Sequence, residues 1–506
     1  MAKKNRLASL LREYRRSKLG VVGIAIILFF VVLAVTAPLL TDKNPITDQN
    51  LASDYSVPIW AKSFPQYSNF PVNSMLLSGS DLSSSLDLQQ WQISSPQSLE
   101  NTSRGLTYYP SANGLVTTFT SVNSSSQELD LSQTFHYPWT YPCGMIAGIT
   151  LTPLNQTLAT NDLSVDIYIK DASSKVFHIL SPAVYADPGD SLEYFSNFPK
   201  GQPSRLIADA NNPFVNLQAT GSSIVVTMGQ CGLSQGIFGR PGDLTITYII
   251  TSKVTTSVLL SQLSLYIPGR AYGLLGTDEI GRDIWSQFVY GARTSLIVGL
   301  AAAIMSVVIG TVVGLVSGFE GGIVDEVLMR VNDFFLVIPF LPFILVLLII
   351  MQLGHVAVWI NTELLIIILL GVLSWNAIAR IIRSQVITVK QKQFVEASKA
   401  LGASHFHVIR KHILPNVMGL VYANVALTVP GAILTEAALS FLGFGDPSVV
   451  SWGTVVSASA FAMTSNLGFA WWWFLPPGLA IALLSTSFVL VGFSLDSILN
   501  PKLRRR

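Results

Sequence analysis

Charge is scarce in this sequence, since Asp, Glu, Lys and Arg make up only 12% of its 506 residues, against roughly 25% in an ordinary soluble domain. The charged residues are unevenly distributed along the chain: residues 19–40 and 295–319 carry no charge at all. These features argue against a single soluble enzyme and against a fully disordered chain. The net charge of +2, without a basic stripe on a soluble face, argues against nucleic acid as a partner.

Two further absences concern cofactors. The sequence contains no G-x-x-x-x-G-K-S/T phosphate loop, so this chain cannot cradle ATP phosphates by that device. Its six histidines form no metal-ligand spacing with cysteines or paired carboxylates. His405 and His407, two residues apart, would lie on different faces of a helix. We therefore expect neither a metal site nor a cofactor in this chain.

Six stretches are apolar enough to cross a bilayer, which takes ~20 mostly apolar residues. The fourth is the weakest, because only 16 uncharged residues separate Glu363 from Arg380. The uncharged stretch between Asp446 and Asp496 is too long for one span, so part of it is expected to be re-entrant or to lie on the surface. The first stretch could also be a cleaved signal peptide, but its apolar length, beyond the roughly 7–15 residues of such peptides, favours an anchor. The stretches are Leu19–Leu40, Ser295–Phe319, Phe334–Gly354, roughly Thr362–Ile381, Val417–Leu439 and roughly Trp473–Phe493.

Positive charge predicts the orientation of these spans. Seven basic residues precede the first span, seven more lie between Arg380, at the end of the fourth span, and Lys411 inclusive, and four lie in the tail 501–506. The loops 355–361 and 443–470 contain none. We therefore expect a multi-pass protein of the cell membrane, in contact with lipid, with both termini in the cytoplasm and residues 41–293 outside.

The outer stretch is polar and holds 12 Lys and Arg against 19 Asp and Glu. From about residue 100 it contains short alternating or β-branched runs separated by Gly, Pro and Asp, which predicts a mainly-β, sandwich-like domain. The structure of residues 41–100 stays open, because this part is rich in Ser and Gln and less periodic. The predicted strands are Leu163–Ile169, Ser222–Met228, Leu244–Ser252 and Val254–Ile267.

Two kinds of covalent modification are suggested by the same stretch. Asn101, Asn123 and Asn155 begin N-x-S/T sequences, which fits a glycosylated outer surface, although chance matches are common where Ser and Thr are dense. Cys143 and Cys231 are the only cysteines, and on the oxidising side of a membrane they suggest a disulfide, with two buried free thiols as the alternative.

One string in this stretch looks catalytic. Gly232–Gly236 matches G-x-S-x-G, the nucleophile elbow of α/β-hydrolases, with Ser234 at the nucleophile position. That chemistry needs a strand–turn–helix context and a downstream histidine, and the next one, His355, lies beyond two predicted spans. The sequence therefore gives a hydrolase little support.

The most informative motifs lie between Leu274 and Gly453. They are Leu274–Ser286, Tyr290–Leu296, Asp325–Asp333, Pro339 with Pro342, Glu396–Ala403, His412–Asn416, Glu436, Leu439–Gly445 and Ser451–Gly453. In this order they closely resemble the motifs of permease subunits of the dipeptide/oligopeptide family of ABC importers. The resemblance covers residues 1–40 and about 270–506, and it is specific only when the motifs are taken together.

The resemblance implies an α-helical polytopic membrane protein with six transmembrane helices and the ABC type I importer permease fold, here carrying the inserted mainly-β extracytoplasmic domain. The compact version of the family has only a short loop there, so the insert is either a docking or binding module or an inert spacer. The expected divisions are a basic tail 1–18, a first helix 19–40, the insert 41–268, an outer amphipathic segment 269–293 and a permease core 294–506 with a coupling loop at about 382–416.

The resemblance also implies the partners. A second homologous permease subunit would complete the pore, two ATP-binding subunits would bind ATP and Mg, and an extracytoplasmic solute-binding protein would deliver cargo. This chain is then a transport subunit without catalytic residues, and the cargo is peptides or, alternatively, oligosaccharides. A membrane-anchored extracellular solute-binding or receptor protein is the competing interpretation, but it predicts a membrane part without motifs.

Particular residues take roles from the resemblance. Glu396–Gly402 is similar to the family's cytoplasmic EAA motif, which seats a short helix in a groove of the ATP-hydrolysing subunit. Apart from the resemblance, Phe394–Ala400 reads as a helix that Gly402 can end with a left-handed cap. The coupling residues are Glu396, Ala397, Ala400, Gly402 and Ala403. The motif before the second span comprises Gly276, Thr277, Asp278, Gly281, Arg282 and Asp283.

Two features inside the spans have alternative explanations. Glu436 lies in an apolar stretch, which is costly unless the carboxylate is partnered or wet, so it either lines the pathway or is a structural hydrogen-bonding residue. Gly310, Gly314 and Gly318 share one helix face and would let another helix approach closely, or they are simply tolerated there.

Overall fold

The structure is a computed structural model that describes most of the chain. It covers residues 14, 17–49, 51–77, 81–94, 106–120, 126–139, 145–159, 162–178, 197–198, 200–202, 204–209, 240–353, 361–446, 448–464 and 470–499. The chain divides into two compact units. Unit 1 comprises Met1–Asp48 and Asp283–Arg506, and unit 2 comprises Gln49–Arg282.

Unit 1 is helical. Its longer helices are α1 (Lys18–Val35), α2 (Ile284–Glu320), α3 (Gly322–Val337), α4 (Phe340–Leu353), α5 (Thr362–Leu373), α6 (Asn376–Lys390), α7 (Gln393–Ala400), α8 (Leu414–Leu439), α9 (Trp452–Thr464) and α10 (Trp471–Leu499). A short helix, His405–Val408, and a π-helical turn, Ile409–Ile413, lead into α8, and a second π-helical turn, Ser440–Phe444, follows it.

By length and composition, five helical stretches of the described residues could cross a membrane. The helices α3 and α4 meet at a bend of 89°, and this pair would be a sixth if it forms one span. The bend lies at Pro339, whose ring disfavours helical backbone at the residue before it, and Ile338 is accordingly extended, with ψ of 128°. The helix α9, with 13 residues, is too short to cross a bilayer of ordinary thickness, which takes ~20 residues.

The three glycines on α2 make a close helix crossing within this chain. A Cβ at Gly310 would lie 2.8 Å from the carbonyl oxygen of Trp375, and one at Gly314 would lie 2.6 Å from that of Ala379. At Gly318 the corresponding distance, to the carbonyl oxygen of Arg383, is 2.9 Å. Since real Cβ atoms do not approach so closely, the glycine face allows α6 to pack directly on the backbone of α2.

Unit 2 contains two larger antiparallel sheets and a two-stranded pair. One sheet has the order β11-β6-β13-β4-β3, with β1 added on β13, the other has the order β2-β5-β12-β8-β9, and β10 pairs with β7. The strands are β1 (Ser74–Met75), β2 (Gln92–Ser94), β3 (Leu106–Ser111), β4 (Gly114–Phe119), β5 (Gln127–Tyr137), β6 (Ile146–Pro153), β7 (Leu158–Ala159), β8 (Leu163–Lys170), β9 (Val176–His178), β10 (Asn197–Phe198), β11 (Ser204–Asp209), β12 (Gly242–Ser252) and β13 (Thr256–Ile267).

The two larger sheets contribute to one hydrophobic core. Alternate residues of β5 and β12 are buried, as the period of two in a strand requires when one face is covered. Tyr248 of β12 is paired with Leu131 of β5 and Ile167 of β8, and all three are fully buried. Leu260 and Leu265 of the other sheet belong to the same cluster. Three of the predicted strands are confirmed, as β8, β12 and β13.

Residues 269–282, which the sequence set apart from the insert, fold as part of unit 2. Backbone hydrogen bonds join them to the segment before β1: Val57 donates to Arg270, and Tyr272 donates back to Val57. These bonds place the boundary of the unit at Arg282 instead of 268.

Several predicted features of the insert lie outside the described residues. They are Cys143, Cys231, Asn101, Asn123, the strand Ser222–Met228 and the string Gly232–Gly236. Asn155 is described: it is exposed, and its Nδ2 donates to Ser257 Oγ at 3.1 Å.

Candidate functional site

The helix α7 is short and is held by one buried residue. Val395 is fully buried and packs in a cluster with residues of α6, of the segment 405–413 and of α8. Glu396, Ala397 and Ala400 are exposed on the rest of the helix, and Ala403 is half-buried against the cluster. Thus, α7 is fixed on one side and presents the predicted coupling residues on the other.

The end of α7 has the geometry of a Schellman motif. The N–H of Gly402 donates to Lys399 O at 2.9 Å, and the N–H of Ala403 donates to Ser398 O at 3.2 Å. Gly402 has a φ of +81°, in the left-handed region that glycine adopts without strain. The left-handed cap predicted from the sequence is present, and it sets the direction in which the chain leaves α7.

Large apolar side chains are exposed beside the coupling residues. Phe394 is 41% exposed, Leu401 is 88% exposed and Phe406 is 71% exposed. An exposed apolar group of this kind, rimmed by polar side chains, is typical of a protein–protein contact. We call Phe394, Glu396, Ala397, Leu401 and Phe406 the α7 surface.

A cluster of cations holds the end of α2 beside α7. Lys390 Nζ donates to the carbonyl oxygen of Phe319, and Lys399 Nζ lies 4.8 Å from the centre of the buried Phe319 ring. The ring of His405 packs edge-on against Phe319 at 5.2 Å, and its Nδ1 lies 3.4 Å from Glu320 Oε1. Positive charge at a helix C-terminus is favourable. We call Phe319, Glu320, Lys390, Lys399 and His405 the Phe319 cluster. It ties the end of α2 to the segment that carries α7.

Ion pairs join α3 to α6 next to this cluster. Arg383 Nε donates to Asp325 Oδ1 at 2.6 Å, its Nη2 donates to the other carboxylate oxygen, and Ser317 Oγ also donates to Asp325. Arg380 pairs with Asp333. Bidentate Arg–carboxylate pairs fix orientation as well as distance. The sequence singled out Asp325–Asp333 as a motif but gave no signal for its partners, which come from another helix.

The first part of the motif before the second span joins this end of unit 2 to the segment around Ser53–Ser56. Thr277 Oγ1 donates to Ser53 O at 2.6 Å and accepts from the N–H of Ser56 at 2.9 Å. Gly276 has a φ of +78°, and a Cβ there would lie 2.0 Å from Ser56 O. These contacts explain why position 276 is a glycine and position 277 carries a hydroxyl.

The acidic residues of that motif are local anchors as well. Asp278 is fully buried and accepts from the backbone N–H of Arg282 at 2.9 Å and from its Nε at 2.7 Å, across the turn at Gly281, whose φ is +72°. Burial, followed by the charge of Asp278, raises the pKa of Glu279. Asp283 caps α2 by accepting from the N–H groups of Trp285 and Ser286.

The predicted site residues are divided between the two units. Gly276, Thr277, Asp278, Gly281 and Arg282 belong to unit 2, whereas Asp283 and the α7 surface belong to unit 1. Within unit 1, Asp283 and the Phe319 cluster lie at opposite ends of the 37 residues of α2, about 55 Å apart at the usual rise of a helix.

Glu436 lies in a third place, near the end of α8. It is 3% exposed, and its Oε1 accepts from Ser440 Oγ at 2.8 Å. It lines a cavity of about 10 Å³, room for about one water molecule. Two more carboxylates, Glu363 and Asp446, line the same cavity and are half-buried. The sequence identified Glu363 only as the charge at the end of a span.

Gly453, in the string Ser451–Gly453, brings α9 close to α8 near this cavity. A Cβ at Gly453 would lie 2.7 Å from Ala437 Cα, so α9 begins in direct contact with α8. The neighbouring Trp452 is fully buried, and its Nε1 donates to Phe288 O at 2.9 Å. The string Ser451–Gly453 therefore packs α9 onto the first turns of α2.

Two family models match this chain. The model described as binding-protein-dependent transport system inner membrane component matches residues 310–505, and the model described as N-terminal TM domain of oligopeptide transport permease C matches residues 5–58.

The chain is also similar to permeases named for dipeptide and oligopeptide transport. The chain is 39% identical over 240 residues to the dipeptide transport system permease protein DppC of Bacillus subtilis, covering 47% of this chain and 72% of that protein. It is 40% identical over 231 residues to the oligopeptide transport system permease protein OppC of the same organism, covering 46% and 72%. OppC of Salmonella typhimurium is 32% identical over 324 residues, which cover 97% of that relative but only 62% of this chain.

Proposed function

We propose a role for this chain on the premise that it belongs to the family of inner membrane components of binding-protein-dependent transport systems, among the dipeptide and oligopeptide permeases of ABC transporters. It is an integral membrane protein with several apolar helices and acts as a permease. The receptor alternative draws no support from these relatives. We assign peptides as the cargo, because the relatives are named for dipeptide and oligopeptide transport; oligosaccharides, the other cargo considered, gain nothing from them.

Work is divided among subunits in this proposal. This chain pairs with a second homologous permease to form the pathway, a solute-binding protein delivers the cargo outside, and two separate subunits bind ATP and Mg. The membrane part follows the type I importer permease fold with six spans, the bent pair of α3 and α4 counting as one. Both termini lie in the cytoplasm.

Unit 2 is assigned to the outside of the cell. Its two sheets around one core support a sandwich-like domain inserted between the first and second spans. We assign it a docking or binding role toward the solute-binding protein, with glycosylation at Asn155 and a disulfide between Cys143 and Cys231 as further features to be tested by mass spectrometry. Deletion of this unit should then reduce capture of that protein by the membrane complex.

The α7 surface is the observation that carries the coupling role. It is rigidly placed, because Val395 anchors α7 from behind and the Schellman motif at Gly402 fixes its end. It exposes the large apolar side chains of Phe394, Leu401 and Phe406, which suits a groove of an ATP-hydrolysing subunit. The Phe319 cluster then passes a displacement of α7 to α2, as rigid-body transitions require.

The test compares charge reversals in the reconstituted transporter. Glu396→Lys should uncouple ATP hydrolysis from peptide uptake, because the exposed carboxylate lies in the middle of the proposed contact. Glu326→Lys is the matched control, since Glu326 is also exposed but lies on α3 and does not belong to the α7 surface. Equal uptake per ATP hydrolysed in Glu396→Lys and in the unchanged chain would count against the assignment.

A further inference from the structure

Glu436 has no part in the coupling role, and its environment is unusual. One carboxylate oxygen accepts from Ser440, and the Ser451 side chain lies near the carboxylate, but the other oxygen, Oε2, is buried without a hydrogen bond of ordinary length and angle among the residues that the structure describes. An isolated carboxylate in a low-dielectric setting is costly unless a counter-charge or hydrogen-bond donor satisfies it. The geometry therefore leaves room for a donor at Oε2.

The cavity at this oxygen is acidic and opens on one side. Glu363, in the first turn of α5, and Asp446, after the second π-helical turn, are both half-buried and partly reach the surface of the chain, whereas Glu436 is buried. None of the residues that line it is Lys, Arg or His. Arg293 directly precedes the lining residue Thr294, but its Nε donates to Ala34 O and its guanidinium packs over the ring of Tyr290. Three carboxylates without a cation favour a positively charged ligand.

The size of the cavity limits that ligand. Its volume of about 10 Å³ holds one group of the size of a water molecule. Calcium and magnesium need about six or more oxygen ligands around them, and no group of three His, Cys, Asp or Glu among the described residues is close enough to hold a metal. A primary ammonium is water-sized and carries three donors. Thr294, Ser451 and Thr454, whose hydroxyl oxygens have two lone pairs each, line the same space.

We propose that this cavity binds the primary ammonium group of a transported molecule, with Glu436 as its counter-ion and Glu363 and Asp446 at the entrance. Only the head group fits inside, so the rest of the molecule lies outside the entrance, beside apolar wall residues such as Val449. This inference rests on the proposed permease role, because it places the cavity on the path of the cargo. It assigns the cargo a chemical class: molecules with a free amino group.

The binding test uses the full chain in nanodiscs and follows its thermal unfolding. Methylammonium chloride is the probe, tetramethylammonium chloride has the same charge but is too large for the cavity, and sodium chloride is the inorganic arm. A ligand that binds only the folded state raises the melting temperature with concentration. We expect methylammonium alone to do so. In Glu436→Gln the concentration for half of the effect should rise about tenfold or more, as expected for loss of one charge-assisted hydrogen bond.

The controls separate the alternatives. Glu326→Gln, an exposed carboxylate on α3, should behave like the unchanged chain. If Glu436→Gln does not fold, Glu363→Gln tests the same cavity. Because Glu363 is only half-buried, this variant should weaken methylammonium binding less. An equal effect of sodium would mean an inorganic cation site, an equal effect of tetramethylammonium would mean charge screening, and an unchanged response in both variants would mean binding elsewhere; each of these overturns the proposal.

Peptide uptake by the reconstituted transporter distinguishes failure of this proposal from failure of the permease role. If the unchanged chain moves peptides but shows no methylammonium response, the ammonium site is wrong and the permease role stands. If the methylammonium response is present but no peptide is moved, the site stands and its assignment to cargo is wrong.

Discussion

Replacement of Gly402 by alanine tests how far the helix α7, to which we assign the coupling role, depends on its last turn. Gly402 has a φ of +81°, and no atom lies within 4 Å of the place where a Cβ would be. The cost of alanine is therefore conformational and not steric. A left-handed L-residue costs about 1–2 kcal/mol, which corresponds to a roughly 5- to 30-fold change in an equilibrium constant.

That cost should appear as opening of α7. The helix has eight residues, and helices shorter than about 12–15 residues are marginal without tertiary support. Hydrogen exchange of residues 393–403 in the full chain, read by mass spectrometry, should speed up roughly 5- to 30-fold in Gly402→Ala. Gly402→Asn should show a smaller effect, because asparagine tolerates the left-handed region. ATP-driven peptide uptake should fall in the same order.

The matched control is Gly431→Ala on α8. No atom lies within 4 Å of a Cβ at Gly431 either, but its φ is not in the left-handed region, so alanine should be tolerated. Equal exchange rates for Gly402→Ala and the unchanged chain would refute the argument. So would equal effects of alanine and asparagine, since the conformational cost would then not decide the outcome.

Three further substitutions test the packing around the sites. Arg383→Lys should lose the bidentate geometry at Asp325 and cost about 1 kcal/mol or less, because the pair is partly exposed; the melting temperature of the full chain checks this. Gly314→Leu should sharply reduce the yield of folded protein on size-exclusion chromatography, because its Cβ would lie 2.6 Å from the carbonyl oxygen of Ala379; a normal yield would show that α2 and α6 can separate. Thr277→Val keeps the shape but leaves the N–H of Ser56 unpaired, at about 1–3 kcal/mol, and should speed hydrogen exchange of that amide, whereas an unchanged rate would exclude a role for the hydroxyl.

Predictions from periodicity succeeded where one face of an element is covered. The strands β8, β12 and β13 could be found from alternation, because each buries every second side chain in one core. The cap at Gly402 could be found as well, since a glycine after a polar–apolar helix is a local signal. The boundary at Arg282 could not, because it depends on hydrogen bonds between residues 269–282 and a segment more than 200 positions earlier.

The same division holds for the sites. Glu436 was visible as a costly charge in an apolar stretch, but its neighbours Glu363 and Asp446 come from other elements and carry no shared spacing. The spacing of the glycines on α2 showed that they share one face of the helix, and the structure shows that α6 packs against this face. Likewise, the string Asp325–Asp333 gave no indication that Arg380 and Arg383 would pair with it.

The sequence by itself determined that this is a membrane protein, which family its motifs resemble and which residues form the short helix α7. Those properties follow from apolar length, charge and local order, all of which are written along the chain. Only the tertiary structure decided which side of α7 is anchored, what surrounds Phe319 and how three distant carboxylates come to line one cavity. These depend on side chains that meet after folding, since packing and electrostatic contacts act through space and leave no fixed spacing in the sequence.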